Sequence, residues 1–274
     1  DGFREADSTG FQWEAFGDED DAAGAAIADL NRDGLPDLVV GHHYNSTLSR
    51  GSEVPVRVYL NRGVDAEGLP IFDDVTTATG LPGLETKAPH VEIADFDNDG
   101  WPDLLTTASA DAGASPAVFR HLGVNGDGIP TFSSPEGLGA AQYWVTGPTA
   151  DVDRDGRLDI MLVEWEPTLP SLLMLNDTAS GNWLEVSVDP FSSRQPIGTV
   201  VGVWGAGGLG DPDSLIGVRE IVASQGYGAG NLQVVHFGLG DAELVDIRVS
   251  YPDGELVELL ETDVNRHIQL PDGC

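Results

Sequence analysis

Cysteine is almost absent from this sequence, which has a single one, Cys274, among 274 residues. A disulfide within the chain therefore cannot form, and the class of small domains held together by internal disulfides is excluded. We expect bound metal to take over that stabilising role. Long apolar runs are also missing, because no stretch approaches the ~20 residues that a membrane-spanning helix needs. Since the sequence begins at Asp1 without a methionine, we expect a processed product.

Basic residues are scarce as well, with 13 Lys and Arg against 46 Asp and Glu and a net charge of −33. Nucleic acids and anionic membranes are poor partners for so acidic a surface. A protein that is secreted into a salty medium, or displayed at the cell surface, fits this charge. A surface tuned only for solubility is the alternative. We therefore expect an extracellular location, no nucleic-acid partner and no membrane insertion.

Helix signals are rare, whereas glycine (35 residues) and proline (17 residues) are abundant. This balance is typical of an all-β protein with many turns. Hydrophobic residues make up 41% of the chain, which is enough for well-packed cores. The length allows one large domain or two modest ones.

One acidic pattern occurs three times, with oxygen-bearing side chains at positions 1, 3, 5 and 9 and glycine at position 6. We name the copies loop 1 (29–37), loop 2 (95–103) and loop 3 (151–159). Calcium takes about 6–8 oxygen ligands, which alternate short side chains can supply around one centre. Glycine permits the sharp bend, and position 7 offers only its backbone carbonyl. The candidate ligands are Asp29, Asn31, Asp33, the Leu35 carbonyl and Asp37 in loop 1; Asp95, Asp97, Asp99, the Trp101 carbonyl and Asp103 in loop 2; and Asp151, Asp153, Asp155, the Arg157 carbonyl and Asp159 in loop 3.

The three loops are not EF-hands, because position 12 holds Val40, Thr106 and Leu162 instead of a bidentate glutamate. Apolar, β-rich segments flank each loop, so we expect each loop to join two strands. Ordinary hairpin turns are the alternative interpretation of such Asp- and Gly-rich sequence. Three copies with one spacing favour about three calcium ions. Magnesium fits less well, because it prefers strict octahedral geometry and keeps its waters.

The loops are part of a longer repeat. Asp29 and Asp95 are 66 residues apart, and Asp95 and Asp151 are 56 apart. Phe72–Gly80 resembles Phe3–Gly10, and one predicted strand follows each loop, at Val56–Leu60, Ala117–Leu122 and Leu172–Leu175. Repeats of this size with four short strands predict propeller blades, in units of about 2–68, 69–128 and 129–180. A closed propeller needs about four to eight blades. The three units are therefore a fragment, an open arc or an arc that another copy completes.

Residues 181–274 carry no such loop and form a second predicted β domain, of sandwich or barrel type. Ile247, Val249 and Tyr251 alternate with polar residues, as in a half-buried strand. The candidate strands are Trp183–Val188, Val200–Trp204, Val218–Ala223, Gln233–Leu239, Leu244–Tyr251, Glu255–Leu260 and His267–Leu270.

The three loops, with their Asp-x-Asp/Asn-x-Asp-Gly-x-x-Asp-Leu/Ile pattern, resemble FG-GAP repeats, also called VCBS repeats, over about residues 1–180. This resemblance implies calcium-binding propeller blades, as in integrin-like and bacterial surface proteins, with the loop residues above as ligands. Asn31 is the one departure from aspartate, and the pattern allows it.

The C-terminal region resembles the ASPIC/UnbV domain. Two departures are the missing histidine after Asn182 and Tyr251 in place of a tryptophan. The tandem order is similar to that of the cartilage-acidic-protein-like family, which implies a secreted, calcium-binding protein of interaction or matrix type without general catalytic residues. The segments that carry the resemblance are Asn182–Leu184, Ile197–Val201, Ser224–Tyr227, His236–Gly240 and Val249–Gly254.

Two further motifs suggest cofactor or metal chemistry but lack its context. Gly205–Gly210 matches the dinucleotide pattern G-x-G-x-x-G, yet Asp211 and Pro212 stand where a helix must begin. We expect a flexible loop there. His42 and His43 could bind a transition metal, but no third ligand lies near in sequence, so a polar blade surface is favoured. His236 is expected to be a core or edge histidine.

Two other patterns suggest carbohydrate. Glu164 and Glu166 flank Trp165 and could share one strand face as a carboxylate pair. An acidic blade edge is the favoured interpretation. Asn45 and Asn176 begin glycosylation sequons in form.

These features favour a secreted, calcium-stabilised, non-enzymatic module for adhesion, interaction or structure. Its expected partner is a protein or glycan surface, or another copy of itself. Two alternatives stay open: a subunit of a self-assembling extracellular filament or matrix, and a metal-dependent lyase or hydrolase that acts on carbohydrate.

Overall fold

The computed structural model describes eight segments, residues 22–42, 56–83, 89–108, 115–138, 144–178, 180–189, 195–230 and 232–270. They contain 21 β-strands and two short 3₁₀ helices, Thr76–Thr79 and Pro212–Ser214, which confirms the all-β prediction. None of the helices in these segments has the length and apolar character that crossing a membrane requires. The Phe3–Gly10 repeat, His43, the Asn45 sequon and Cys274 lie outside the described residues.

Loop 1 joins the first two strands of a four-stranded antiparallel sheet. On its first strand, Ala26 and Ala28 are buried while Ile27 between them is exposed, because neighbouring strand residues point to opposite faces. The strands lie in sequence order: β1 (Ala22–Ala28), β2 (Asp37–His42), β3 (Arg57–Val64) and β4 (Pro70–Asp74).

Loop 2 has the same place in the second sheet, between β5 (Val91–Ala94) and β6 (Asp103–Thr106). The next segment differs from the sequence prediction, which had one strand over Ala117–Leu122. The chain leaves the sheet at Arg120, so this segment is two strands, and the second belongs to a separate hairpin. The remaining strands are β7 (Ala117–Phe119), β8 (His121–Val124), β9 (Pro130–Phe132) and β10 (Glu136–Gly137), with the sheet order β10-β7-β6-β5.

Loop 3 again joins the first and second strands of a sheet. The edge on the N-terminal side is divided, because β11 and β12 both pair with β13 and are separated by Gly147 and Pro148. Proline has no backbone N–H to donate, so it suits such a break. The strands are β11 (Trp144–Thr146), β12 (Thr149–Ala150), β13 (Asp159–Glu164) and β14 (Leu172–Met174).

Residues 182–270 form two sheets that face each other across one apolar core. The sheet orders are β18-β15-β21, which includes a parallel β15–β21 pair, and β17-β16-β19-β20. Leu184, Val203 and Ile247 in the core are 0% exposed. All seven predicted strands are present, as β15 (Asn182–Val188), β16 (Val200–Gly205), β17 (Leu215–Glu220), β18 (Val234–Gly240), β19 (Leu244–Ser250), β20 (Leu256–Asp263) and β21 (Arg266–Leu270).

The three N-terminal sheets pack side by side, like blades. On β6, Leu104 joins the core shared with the first sheet, whereas its neighbour Leu105 joins the core shared with the third. Both are 0% exposed, since successive side chains leave a strand on opposite faces. The middle sheet is therefore covered on both faces. The repeat boundaries near 68, 128 and 180 stay predictions.

Candidate metal centres

Position 1 of each acidic loop holds the bend in place. In loop 2, the Asp95 carboxylate accepts the backbone N–H groups of Asp99 at 3.2 Å and Gly100 at 2.8 Å. The first aspartates of loops 1 and 3 accept the equivalent pair. Because both oxygens of one carboxylate are used, the loop turns back toward its own beginning.

Position 9 ties each loop to a later segment of the chain, which is β3 for loop 1, β8 for loop 2 and the residues after β14 for loop 3. Asp103 accepts the backbone N–H of Phe96 at 3.1 Å and that of His121 at 2.8 Å. Position 9 of loops 1 and 3 likewise accepts two backbone N–H groups, one from position 2 of the same loop and one from a residue farther along the chain. The second donor is Asn61 for Asp37 and Asn176 for Asp159. The three position 9 residues are 0%, 1% and 2% exposed, so this carboxylate is part of the buried framework.

The backbone takes the left-handed conformation at two positions of every loop. Glycine at position 6 has φ of 83°, 92° and 87° in loops 1, 2 and 3, which a side chain would strain. Position 4 also has positive φ, at 60° in Arg32, 56° in Asn98 and 63° in Arg154. The sequence analysis missed position 4, where only asparagine is a residue that tolerates this conformation well.

Loop 2 brings three of its carboxylates together. One oxygen each from Asp95, Asp97 and Asp99 lies within 4.8 Å of the others. Burial, reinforced by the neighbouring carboxylates, raises the pKa of Asp95 to about 8. Asp103 stands apart from this group because its carboxylate accepts a 2.8 Å hydrogen bond from Arg120, and burial raises its pKa to about 7.

Loop 3 brings together Asp151, Asp153 and Asp159, again with one oxygen of each within 4.8 Å. Asp155 is outside this group, because its carboxylate accepts a hydrogen bond from the Arg157 side chain. Arg157 also donates to the Asn176 carbonyl. The position 7 residue, expected to offer only its carbonyl, therefore also uses its side chain to position its neighbours.

Loop 1 has the same backbone bonds but a looser set of oxygens. Its aspartates do not form a three-carboxylate group as tight as those of loops 2 and 3 among the described residues. The Asn31 amide donates to Asp33 at 2.9 Å, which uses an oxygen predicted as a ligand. Burial raises the pKa of Asp37 to about 7.

The donor set fits a hard divalent cation. Carboxylate, amide and carbonyl oxygens are the ligands that calcium prefers, and loops 2 and 3 already gather three carboxylates each. Burial and mutual repulsion disfavour the charged form of Asp95. A divalent cation among these oxygens would reverse that preference, because an opposite charge favours the ionised carboxylate.

Each sheet also reaches back to the acidic loop of the sheet before it. The His121 Nε2 atom lies 2.9 Å from the Leu30 carbonyl in loop 1. In the third sheet, the Asn176 amide donates to the Phe96 carbonyl in loop 2 at 2.8 Å. Each residue lies two positions after the end of a strand, β7 or β14, and each contacts position 2 of the preceding loop. Side chains outside the ligand motif therefore connect each of these two segments to the acidic loop of the preceding sheet.

The position 7 tryptophan of loop 2 strengthens the first link. Trp101 stacks on His121 with ring centroids 4.8 Å apart, and the Arg32 guanidinium lies 3.6 Å from its ring centroid. Arg32 is position 4 of loop 1, so this cation–π contact joins loops 1 and 2 directly.

The C-terminal domain rests on loops 2 and 3. The Asn98 carbonyl of loop 2 accepts the Gly240 N–H at 2.8 Å, and the His236 Nε2 atom lies 3.2 Å from the Gly156 carbonyl of loop 3. Gly238 lies against loop 2 so closely that a Cβ there would come within 2.0 Å of an Asp95 oxygen. Glycine at this position allows the two backbones to approach.

Within the part of the chain that the structure describes, the other sequence motifs show no binding-site geometry. Gly205–Gly210 leads into the 3₁₀ helix Pro212–Ser214 rather than an α-helix, as expected for a loop. His42 is 0% exposed, so the prediction of a polar surface is wrong at this residue, which the sheet covers. The Asn176 amide nitrogen, which is the atom that a glycan would join in this sequon, donates hydrogen bonds to the Phe96 and Leu158 carbonyls.

A family model described as "ASPIC and UnbV" matches residues 190–273. The chain carries an ASPIC and UnbV domain. The strands β16–β21 lie within the matched residues, and the resemblance of the C-terminal region to this domain is confirmed.

Similarity extends beyond the ASPIC and UnbV domain. The chain is 30% identical to cartilage acidic protein 1 of Mus musculus and 29% identical to that of Homo sapiens, each over 246 residues and 85% of this chain. It spans about a third of those relatives, 34% and 33% of their length. Integrin alpha-4 of Xenopus laevis is 31% identical over 147 residues, which is 51% of this chain and 14% of the integrin. The predicted extracellular location agrees with these relatives.

Proposed function

We propose that the chain is an extracellular, calcium-stabilised, non-enzymatic interaction module. Its three acidic loops hold calcium ions, and the loaded loops fix the position of the blade-like sheets and of the ASPIC and UnbV domain. The observation that carries the proposal is the convergence of three carboxylates in each of two loops that have identical backbone bonds.

The ligands in loop 2 are Asp95, Asp97, Asp99 and the Trp101 carbonyl, with Asp103 shared between the ion and Arg120. In loop 3 they are Asp151, Asp153, Asp159 and the Arg157 carbonyl, with Asp155 released from Arg157. Loop 1 uses Asp29, Asn31, Asp33, the Leu35 carbonyl and Asp37 and is the weakest site, because it has one carboxylate fewer.

Thermal unfolding with calcium and with excess EGTA tests this proposal. Extracellular calcium sites have Kd near 10⁻⁴–10⁻³ M. At about ten times Kd, linkage gives roughly 1.4 kcal/mol per site, so three sites give about 4 kcal/mol and chelation lowers the melting temperature by many degrees. An unchanged melt in EGTA contradicts the proposal.

Matched variants locate the ions. Asp97→Asn removes a loop 2 ligand, and Asp153→Asn removes one from loop 3. The control is Asp127→Asn, since Asp127 is an exposed turn residue outside the loops. Calorimetric titration is expected to show one site lost or weakened in each ligand variant and none in the control. Equal calcium binding by all four proteins contradicts the assignment.

A non-enzymatic role agrees with the relatives that the chain matches, which bear the names cartilage acidic protein 1 and integrin alpha. The partner is a protein or glycan surface. Trp165 is 62% exposed beside Glu164 and Glu166, and the Glu166 N–H donates to the Glu164 carboxylate at 3.0 Å. The Glu164 carboxylate is therefore engaged in a local turn. Glu164 and Glu166 are not both available as the carboxylate pair that a carbohydrate-cleaving site would need.

Self-association is a second candidate, favoured by the outer face of the third sheet. Met161, Leu173 and Leu175 are 41%, 51% and 55% exposed, and Met161 is the register partner of Leu173. A contiguous apolar face on an outermost sheet invites another sheet. Size-exclusion chromatography with light scattering, on the wild type and on Leu173→Glu, tests this. A monomeric wild type at high concentration excludes it.

A further inference from the structure

Two surface turns of the N-terminal half share one pattern of hydrogen bonds. The Asp65 turn (65–69) joins β3 to β4, and the Asn125 turn (125–129) joins β8 to β9. In each turn, the backbone N–H of the first residue donates to the carbonyl of the fifth, and the N–H of the fourth donates to the carbonyl of the first. The two turns therefore hold an aspartate and an asparagine at the same structural position.

Two backbone donors hold the side-chain carbonyl oxygen of Asn125. It accepts the N–H groups of Asp127 at 2.9 Å and Ile129 at 3.1 Å. The Asp65 carboxylate accepts the equivalent pair, at 2.9 Å and 2.8 Å. Donors that point at a carbonyl oxygen stabilise the negative charge that forms there when a nucleophile attacks the carbon. Asn125, which is itself exposed, is thus activated toward attack at its Cγ atom.

A nucleophile stands next to this carbon, namely the backbone nitrogen of Gly126. Asn125 and Gly126 form the one Asn-Gly pair in the sequence. Gly126 is exposed, and its N–H donates no hydrogen bond among the described residues. Because glycine has no side chain, it neither shields this nitrogen nor restricts its approach to Cγ. The Asp65 turn differs here too, since Ala66 follows its aspartate.

We propose that Asn125 is a site of spontaneous deamidation. The Gly126 nitrogen loses its proton to a solvent base and bonds to Asn125 Cγ. The bond from Cγ to the side-chain nitrogen breaks, and this nitrogen takes a proton from solvent and leaves as ammonia. Water then opens the cyclic imide at one of its two carbonyl carbons, which gives aspartate or isoaspartate. The net change exchanges NH₂ for OH, adds one negative charge at pH 7 and needs no oxidant.

The two products have different effects on the turn. Aspartate keeps the acceptor oxygen and reproduces the arrangement of Asp65. Isoaspartate directs the main chain through Cβ and Cγ, so the backbone gains a methylene group and the acceptor of the Asp127 and Ile129 N–H groups is displaced. The hairpin that carries this turn begins at His121, which contacts the Leu30 carbonyl of loop 1. The isoaspartate form therefore loosens a link between the second sheet and loop 1.

Peptide mapping by mass spectrometry tests this proposal on the full chain, aged for weeks in millimolar calcium. Asn125 is expected to convert, faster at higher pH because the attacking nitrogen must lose its proton. Asn98 and Asn176 are references in the same digest, since their amides donate to carbonyl groups and Asn98 is 0% exposed. Neither reference is expected to convert. No conversion at Asn125, or equal conversion at all three residues, overturns the proposal.

Gly126→Ala tests the role of the nucleophile. The variant fits the turn, because a Cβ at this position has nothing within 4 Å and Gly126 is not among the glycines with positive φ. Conversion of Asn125 is expected to slow at least about tenfold, since a side chain restricts the approach of the nitrogen. Gly205→Ala, whose nearest contact is an ordinary 3.9 Å, is the matched control and is expected to convert as the wild type does. A wild-type rate in Gly126→Ala overturns the proposal.

Ageing in guanidinium chloride tests the role of the folded turn, because unfolding removes both donors to the Asn125 side chain. Conversion is expected to be slower than in the folded protein. Faster conversion would mean that the turn protects Asn125, which overturns its activation by the two donors.

Ion-exchange chromatography of the aged protein separates the charged products for urea unfolding. The isoaspartate form is expected to unfold at lower urea than the wild type, whereas Asn125→Asp, which reproduces the other product, is expected to unfold as the wild type does. An isoaspartate form as stable as Asn125→Asp contradicts the loosened link to loop 1.

Discussion

At the scale of single residues, the acidic loops combine two kinds of aspartate. Position 9 is buried and both of its oxygens accept backbone N–H groups, as Asp159 shows with Val152 at 3.0 Å and Asn176 at 2.9 Å. Position 3 makes fewer bonds to the backbone and is available to a cation. Position 9 of loop 3 therefore serves the framework as well as the carboxylate group, whereas position 3 serves that group alone.

This difference predicts opposite behaviour for two substitutions in loop 3. Asp159→Asn replaces one acceptor oxygen by an NH₂ group, so one backbone donor loses its partner, at a cost of about 1–3 kcal/mol. We expect a lower free energy of unfolding with and without calcium. Asp153→Asn is expected to lower calcium affinity but leave the metal-free protein nearly unchanged. Urea unfolding in EGTA and in calcium measures both. If both substitutions lower the free energy of unfolding equally in EGTA, the proposed difference between positions 9 and 3 is contradicted.

His121 predicts a dependence on pH. Its Nδ1 accepts the Gly123 N–H at 2.9 Å while Nε2 contacts the Leu30 carbonyl, a pair that fits the neutral ring. Burial, with the Arg32 charge, lowers its pKa to about 4. Between about pH 6.5 and 4 the unfolded chain then binds more protons than the folded one. Stability is present above this window and is lost as pH falls through it.

We expect a loss of about 1.4 kcal/mol per pH unit from this histidine within the window. In His121→Asn the slope of the free energy of unfolding against pH is expected to be shallower by that amount. Urea titrations from pH 7 to 5 at saturating calcium provide the comparison. Parallel slopes for the two proteins would show that His121 does not titrate as its burial implies.

Residue types at fixed spacing predict the candidate ligand positions, because calcium chemistry restricts positions 1, 3, 5 and 9. The arginines were not predictable in the same way. Arg120 meets Asp103 at 2.8 Å across 17 positions of sequence, and Arg219 reaches the loops from another domain. Such contacts depend on how sheets and domains pack, which has no local signal.

At the scale of elements, strand positions followed from apolar periodicity, and all seven C-terminal strands lie within a few residues of the predicted bounds. The exception in the second sheet has a local cause. Predicted as one strand, Ala117–Leu122 divides at Arg120, whose side chain turns to Asp103 and Asp97. Apolar periodicity does not reveal that Arg120, inside an otherwise apolar run, forms ion pairs with the aspartates of loop 2.

Asn176 carries the prediction at this scale. Its amide donates to the Phe96 carbonyl of loop 2 and to the Leu158 carbonyl of loop 3, so it joins two adjacent sheets. Asn176→Asp removes the donor and places a negative charge against two carbonyl oxygens. We expect a loss of about 1–3 kcal/mol and weaker calcium binding in both loops.

The measurement is urea unfolding together with calorimetric titration of calcium. Asn125→Asp is the matched control, because Asn125 is an exposed residue of the turn between β8 and β9. The Asn176 sequon is also expected to stay unmodified when the chain is secreted from a glycosylating cell, as intact-mass spectrometry would show. A glycan at Asn176, or a variant as stable as the control, contradicts the bridging role.

At the scale of the whole molecule, the ASPIC and UnbV domain covers one side of the three stacked sheets. It contacts loop 2 through backbone groups, including the Gly181 N–H, which donates to the Asp97 carbonyl at 3.0 Å. It contacts loop 3 through the His236 ring, whose Nε2 atom lies 3.2 Å from the Gly156 carbonyl. The change in motif content near residue 181 predicts two modest domains, and this boundary stays a prediction. Their contact was not predictable, because glycines and carbonyl groups carry no pattern that marks an interface.

Gly238 tests whether this contact is needed for a single folding unit. A Cβ at this position would meet Asp95 Oδ2 at 2.0 Å and the Asn98 Cα at 2.4 Å, and the backbone of loop 2 cannot yield as a flexible side chain would. Gly238→Ala is expected to cost on the order of 3 kcal/mol through overpacking and to separate the domain from loop 2. Gly205→Ala is the control, because its nearest contact is an ordinary 3.9 Å.

We expect the wild type and Gly205→Ala to unfold in one calorimetric transition in calcium, and Gly238→Ala to show two. The reason is that the ASPIC and UnbV domain has its own apolar core, so it can stay folded when its contact with loop 2 is lost. Calcium binding at loop 2 is expected to weaken with it, since Asp95 is held between the two parts. If Gly238→Ala unfolds in a single transition at the wild-type temperature, the close contact between Gly238 and loop 2 is not needed for the two parts to unfold together.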